Sequence, residues 1–159
     1  MEFPNRVYTD EEVRVARELI EKGYRHRITI EGSPEFRQKV RRALELVKIA
    51  GYYDFLRTYI RKIKEIDGLT QLRNADAAIW ANVYAVESPV DAASIFLQKA
   101  NHMQEYVELK HYYGGEAEKR SVAKRIEFLE VLKGKSRKRE VIAECERLLG
   151  LWRDSFLVY

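Results

Sequence analysis

Between Ser88 and Gly115 the chain reads SPVDAASIFLQKANHMQEYVELKHYYGG, a stretch whose helical wheel is apolar on two opposite sides. Ser88 can cap a helix, and Pro89 suits the first helical position, where its missing N–H would have no intrahelical partner anyway. Gly114-Gly115 reads as the stop. One stripe holds Ala93, Phe96, Leu97, Ala100, Met103 and Val107, and the opposite stripe holds Ile95, Gln98, His102, Tyr106, Leu109 and Tyr113. A helix with two apolar faces has to be covered on both. The rest of the fold must therefore wrap this segment, which carries Gln98 and His102 inward, one turn apart, with Lys99 beside them.

At 159 residues the chain has the length of one domain and can bury a core without disulfides. We read a single domain over 1–159, with 1–8 as an irregular arm. Lys and Arg total 29 against 25 Asp and Glu, a mixture that describes a solvated, ion-paired surface. The net charge of +4 permits an anionic partner without requiring one. The lone Cys145 excludes an internal disulfide and fits a reducing compartment. The N-terminal residues are too polar for a signal peptide, and no run reaches the roughly 18 apolar residues of a membrane span, so a cytoplasmic location is expected.

Read in order, Thr9 caps a first helix with Glu12 completing a capping box, Val13, Ala16, Leu19 and Ile20 form its buried face, and Gly23 ends it. Tyr24 to Glu31 alternates in side-chain type and is expected to be a strand. Ser33 and Pro34 start a second helix that Gly51 closes, with Phe36, Val40, Ala43, Leu44 and Val47 inward. Tyr52 to about Lys64 follows helical spacing and reads as a third helix. Ile66 to Thr70 is a turn or short bridge, and residues 77–86, AAIWANVYAV, read as a buried strand. After the long helix, Glu116 to Leu132 is helical, LKGKSRKRE is a basic loop, and a last helix spans about Arg137 to Phe156, with Val141, Cys145, Leu148, Leu149, Trp152 and Phe156 as its stripe. The expected class is α+β and predominantly helical, with about six helices and a small sheet of two or three strands.

The long helix carries Ser88-Pro89, Ala92-Ala93-Ser94, His102 and Tyr106, and the next carries Gly114-x-Glu116-Ala117-Glu118 followed by Val122, Phe128-Leu129 and Leu132. Over roughly residues 28–132 this organisation resembles small zinc-metallopeptidase-like proteins of the HExxH, zincin-like class. In that class the long helix reads AxxLxHExxH and the next helix brings a third ligand in a G-x-x-AE type motif. Two histidines four residues apart reach one Zn²⁺ from one helical face, and the Glu beside the first acts as general base on bound water. The corresponding segment here is QKANH at 98–102. Ending the register on His102 puts Gln98 at the first histidine position and Lys99 at the glutamate, with Glu118 the best match for the third ligand and Glu116 the fallback.

A neutral amide is a poor zinc ligand, and an ammonium offers no lone pair, is no base while charged, and repels a cation. The resemblance thus implies a peptidase-like scaffold that has lost zinc and catalysis, holds no cofactor, and binds a peptide or protein in the former cleft. Lys99 would pair with Glu118 where zinc bridged the helices. If a metal is retained, His102 and Glu118 are its ligands, and a residual metal-dependent hydrolase is the alternative. Taken by itself, His102 reads as a core histidine bonded to Tyr106 or to backbone, and Glu118 as a buried salt-bridge partner of Arg125 or Lys99. His26 and His111 read as surface residues, and Cys145 as an inert core thiol.

A second alternative is a basic nucleic-acid-binding module. Arg37, Lys39, Arg41, Arg42, Arg57, Arg61, Lys62 and Lys64 would sit on two consecutive helices, interleaved with Tyr52, Tyr53 and Tyr59, and residues 133–139 add a basic loop. Glu35, Glu45, Asp54 and Glu65 dilute that patch, so a solvated helix face is the stronger reading. The Gly-Lys-Ser at 134–136 lacks the upstream glycine and strand of a phosphate-binding loop.

Overall fold

The first helix, α1 (Asp10–Glu21), begins as its capping box requires: the Thr9 side chain accepts from the Glu12 N–H, and the Glu12 carboxylate accepts from the Thr9 N–H at 2.9 Å. The computed structural model describes residues 2–110 and 114–158, with side chains described as far as Trp152. The chain continues through β1 (Thr29–Glu31), α2 (Pro34–Ala50), α3 (Tyr53–Tyr59), β2 (Lys62–Glu65), β3 (Gln71–Arg73), β4 (Ala78–Ala81), α4 (Pro89–Val107), α5 (Gly115–Lys135) and α6 (Arg139–Val158). The class is α+β and predominantly helical, as expected. No helix among the described residues is long and apolar enough to cross a membrane.

The sheet has four strands rather than two or three, in the order β1-β2-β4-β3, with β1, β2 and β4 parallel and β3 antiparallel at one edge. Ile30, Ile63, Ile79 and Leu72 align in one row across all four strands, and this row faces the helices. The alternate positions, among them Lys62, Lys64, Arg73 and Trp80, project from the other face.

Three expectations shorten here. The strand expected over 24–31 forms only at 29–31, because the backbone of His26 bonds to Arg57 O rather than to a neighbouring strand. The helix expected over 52–64 stops at Tyr59, and Lys62–Glu65 becomes the central strand β2. Ile63 is the only apolar residue of that strand, so its helical spacing from Tyr59 and Ile60 carried little information, and pairing with β1 and β4 decided the conformation. Of the strand expected over 77–86 only Ala78–Ala81 pairs, and Val83–Val86 makes a short 3-10 turn behind Asn82, whose side chain accepts from the Tyr84 N–H at 2.8 Å.

Gly32 joins β1 to α2 where no other residue fits. Its φ is +156°, and a Cβ there would lie 2.7 Å from Phe36 Cδ1 and 2.8 Å from Glu65 Cβ. The Glu65 carboxylate accepts from the Ser33 N–H at 2.8 Å, fastening the start of α2 to β2. Gly51 then closes α2 in the left-handed conformation, φ +85°.

The long helix is central. Phe96, Leu97, Ala93 and Ala100 have no exposed surface, and α4 packs against α1, α2, α3, α5, α6 and β3. Complete burial of a Phe or Leu is worth about 1.5–3 kcal/mol each, so this face anchors the core. The helix ends at Val107, earlier than Gly114, and Leu109 is exposed with φ +60°. Tyr113 and His111 lie outside the described residues, as does the side chain of Phe156. The last two helices run slightly past their expected ends, and the basic loop contracts to residues 136–138. The N-terminal arm is irregular but fixed: Val7 is buried, its N–H bonds Ala75 O at 2.8 Å, and its carbonyl accepts from the Tyr106 hydroxyl at 2.6 Å.

Candidate functional site

The second face of α4 meets α5 along Asp91, Gln98 and His102, spaced so that they share one side of the helix. From α5, Glu118, Ser121 and Arg125 oppose them with the same periodicity. A cleft of about 270 Å³ opens at this seam, lined by Gln98, Lys99, His102 and Glu118 together with Leu72 and Asn74 at the end of β3. The four residues singled out in the sequence thus converge on one concavity beside the edge strand. Glu116, the fallback, is exposed and outside it.

Gln98 is buried and its amide is fully engaged. Its Nε2 donates to Ser121 Oγ at 3.1 Å and stands 3.5 Å from Glu118 Oε1, while its Oε1 accepts from Arg125 Nη1 at 3.1 Å. Arg125 is 5% exposed and supplies the charge at the bottom of the seam. Its Nη2 donates to Asp91 Oδ1 at 2.8 Å, its Cζ lies 4.0 Å from the Trp152 ring centroid, and its Nε has no hydrogen-bond partner among the described residues. Burial pulls its pKa down to about 10, opposed by Asp91 and Glu118, so it remains charged at neutral pH. The expected Glu118–Arg125 salt bridge is therefore replaced by Asp91–Arg125.

Lys99 is half-buried, and no ion pair joins it to Glu118 within 4.0 Å among the described residues, so the expected contact pair does not form. The two are coupled at longer range: burial lowers the Lys99 pKa, the Glu118 carboxylate raises it, and the Arg125 guanidinium lowers it again. Glu118 keeps its close contact for Gln98, and Ser121 spans the turn below by donating to Glu118 O at 2.8 Å. His102 is half-buried on the cleft wall, more open than a core histidine, and the Tyr106 hydroxyl reaches to the arm.

Zinc does not fit these residues. Gln98 presents an amide whose oxygen faces a guanidinium, and the Lys99 ammonium stands beside it in the cleft. His102 and Glu118 are the two competent donors, and no third His, Cys, Asp or Glu joins them among the described residues.

Comparison with protein-family models, with curated proteins and with solved structures finds no match. The site's chemistry therefore rests on the geometry above.

Sequence reasoning missed Asp91, Ser121, Leu72 and Asn74. Asp91 and Ser121 were readable, because seven residues separate Asp91 from Gln98 and three separate Ser121 from Glu118, each pair on one helical face. Leu72 and Asn74 were not, since β3 carries no strand signature of its own. Two other expectations change. His26 is buried at 4% exposure, not on the surface, packed edge-on to Phe3 and Tyr24 at ring-centroid distances of 4.5 and 5.0 Å. The basic patch is divided: Lys39 pairs with Glu35 and Glu87, Arg57 with Asp54, and Lys62 and Lys64 lie on a strand rather than a helix. Cys145 is buried, and burial raises its thiol pKa to about 11, which suits an inert core thiol.

Proposed function

We propose that this chain is a zinc-peptidase-like domain that has exchanged catalysis for peptide binding in the cleft between β3, α4 and α5. The observation that carries the reading is the convergence of Gln98, Lys99, His102 and Glu118 on one cleft. Gln98 is held by Arg125 and Ser121 in the place of a metal ligand, and the Lys99 ammonium supplies positive charge near Glu118 where a cation would have stood. β3 ends the sheet, so its outward backbone groups have no strand partner among the described residues. An extended peptide can add to such an edge, with side-chain specificity supplied by the adjoining cleft. The polar wall of Asn74, Lys99, His102 and Glu118 suits a peptide that presents a polar side chain there.

The test has two parts. Protein purified without chelator is assayed for bound metal and peptide hydrolysis, with neither expected; stoichiometric zinc that disappears in His102→Ala would overturn the reading. Selection of a displayed peptide library on the full chain is expected to yield binders that Asn74→Trp, which fills the cleft mouth, no longer retains. Binders indifferent to that change would place the peptide elsewhere.

A further inference from the structure

The sheet face turned away from the helices carries an uneven distribution of charge. Lys62 and Lys64 on β2 and the exposed Arg27 just before β1 border a recess of about 680 Å³, with Trp80 on its floor and the buried His26, whose Nε2 is without a partner among the described residues, in its wall; Arg73 on β3 lies against the Trp80 ring. Arg61 lies there too, but its guanidinium is bound to the carbonyls of Pro4, Asn5 and Asp76 and holds the arm in place. Of the carboxylates nearby, Glu31 pairs with Lys62 at 3.1 Å and Asp76 sits against Arg61. Among the described residues, Arg27, Lys64 and Arg73 have no carboxylate partner within 4.0 Å.

The two cations flanking Trp80 lie against its ring, Arg73 Cζ at 4.2 Å and Lys64 Nζ at 5.3 Å from the centroid. Such contacts are weak at an open site, and both side chains are long enough to swing away. A flat heterocycle sliding onto Trp80 gains more by stacking than the cation loses, and the displaced ammonium or guanidinium is then free for a phosphate. Lys62 and Lys64, two residues apart on a parallel strand, project about 6.6 Å apart and can follow a chain of charges along the strand.

We propose that this open sheet face binds single-stranded nucleic acid, with the phosphate backbone tracking Arg27, Lys62, Lys64 and Arg73 and a base stacked on Trp80. A single strand suits the recess because the arm at Asn5 and the segment at Tyr24 line it as well. The site is independent of the cleft, which opens on the helix side of the sheet at Leu72. It shares Lys62 and Lys64 with the basic patch expected from sequence but sets them on the sheet rather than a helix, while Lys39 and Arg57 of that patch are held in ion pairs.

The full chain is titrated into labelled 20-nucleotide oligothymidylate and oligouridylate, followed by anisotropy from about 50 to 300 mM KCl. Binding is expected at low salt, with log Kobs falling against log salt at a slope of about −2 to −3, roughly −0.7 for each phosphate engaged. The double variant Lys64→Glu with Arg73→Glu should weaken binding at least tenfold and flatten the slope by about 1.4. Trp80→Leu should weaken it several-fold, and Arg41→Glu with Arg42→Glu on the exposed side of α2 should leave it within twofold. Circular dichroism checks that each variant is folded. Photocrosslinking of a bromouridine-containing strand to the unaltered chain should map to the peptide bearing Trp80 and needs no variant. No binding at 50 mM salt, equal loss in the α2 variant, preference for duplex, crosslinks confined to other surfaces, or heparin binding as tightly with no effect of Trp80→Leu would each overturn the proposal.

Discussion

Gln98 Oε1 accepts a hydrogen bond at 3.1 Å from the buried guanidinium of Arg125, which ties the centre of α4 to α5. The same guanidinium reaches Asp91 one helical segment earlier and stacks on Trp152 of α6. One residue thereby fixes the register of three helices, and the cleft above it inherits that register.

A histidine pair built on α4 should create metal affinity. The double change Gln98→His with Lys99→Glu places an imidazole opposite His102 and removes the repelling ammonium, leaving Glu118 in reach of the same cleft. Zinc uptake in about one equivalent is expected by metal analysis, and it should vanish when His102→Ala is added. A folded double variant that takes up no zinc shows that α4 and α5 are not set in a metal-binding register.

Arg125→Ala should be severely destabilising. It leaves Gln98 Oε1 without its donor and Asp91 without its partner, and it opens a void against Trp152. Losing one partner of a buried pair costs about 3–5 kcal/mol, and the partial exposure of Asp91 argues for the lower end. Urea denaturation measures it; a loss below about 1 kcal/mol would mean that the seam is held by apolar packing alone.

Stability should fall in mild acid because of His26. Burial first, and the nearby Arg61 charge second, lower its pKa to about 4 from the ordinary 6.5. Above pH 6.5 the ring is neutral in both folded and unfolded chains and costs nothing. Between about 6.5 and 4 the unfolded chain takes up a proton that the folded one refuses, so stability drops as pH falls, by on the order of 2–3 kcal/mol. His26→Phe, which keeps an aromatic ring against Phe3 and Tyr24, should flatten this part of the pH profile in denaturant titrations. An unchanged profile would assign the acid sensitivity to carboxylates.

Gly32→Ala should cost about 2 kcal/mol or more. The added Cβ meets Phe36 and Glu65 at under 3.0 Å, and Phe36 is fully buried and cannot step aside. The expected signature is a lowered thermal midpoint with little change in helix content. A neutral result would show that the β1–α2 turn relaxes freely.

The helix caps were legible because they are local: Thr9 with Glu12, Ser33 with Pro34, and Ser88 with Pro89 each specify a start within four residues, and all three begin helices as read. The doubly apolar wheel of α4 likewise required a central helix, since nothing but surrounding structure can cover two faces. It also placed Gln98, Lys99 and His102 together, because their spacing alone puts them on one turn. The sheet was not legible to the same degree. Three- and four-residue strands such as Gln71–Arg73 and Lys62–Glu65 carry too little pattern to declare themselves, and they exist because Ile30, Ile63, Ile79 and Leu72 find one another across the sheet. Tertiary structure likewise decided that Arg125 pairs with Asp91 rather than Glu118, and that Lys99 stands near Glu118 without touching it. Helical spacing says which residues share a face, but which of several nearby charges a buried guanidinium meets depends on how two helices are set against each other.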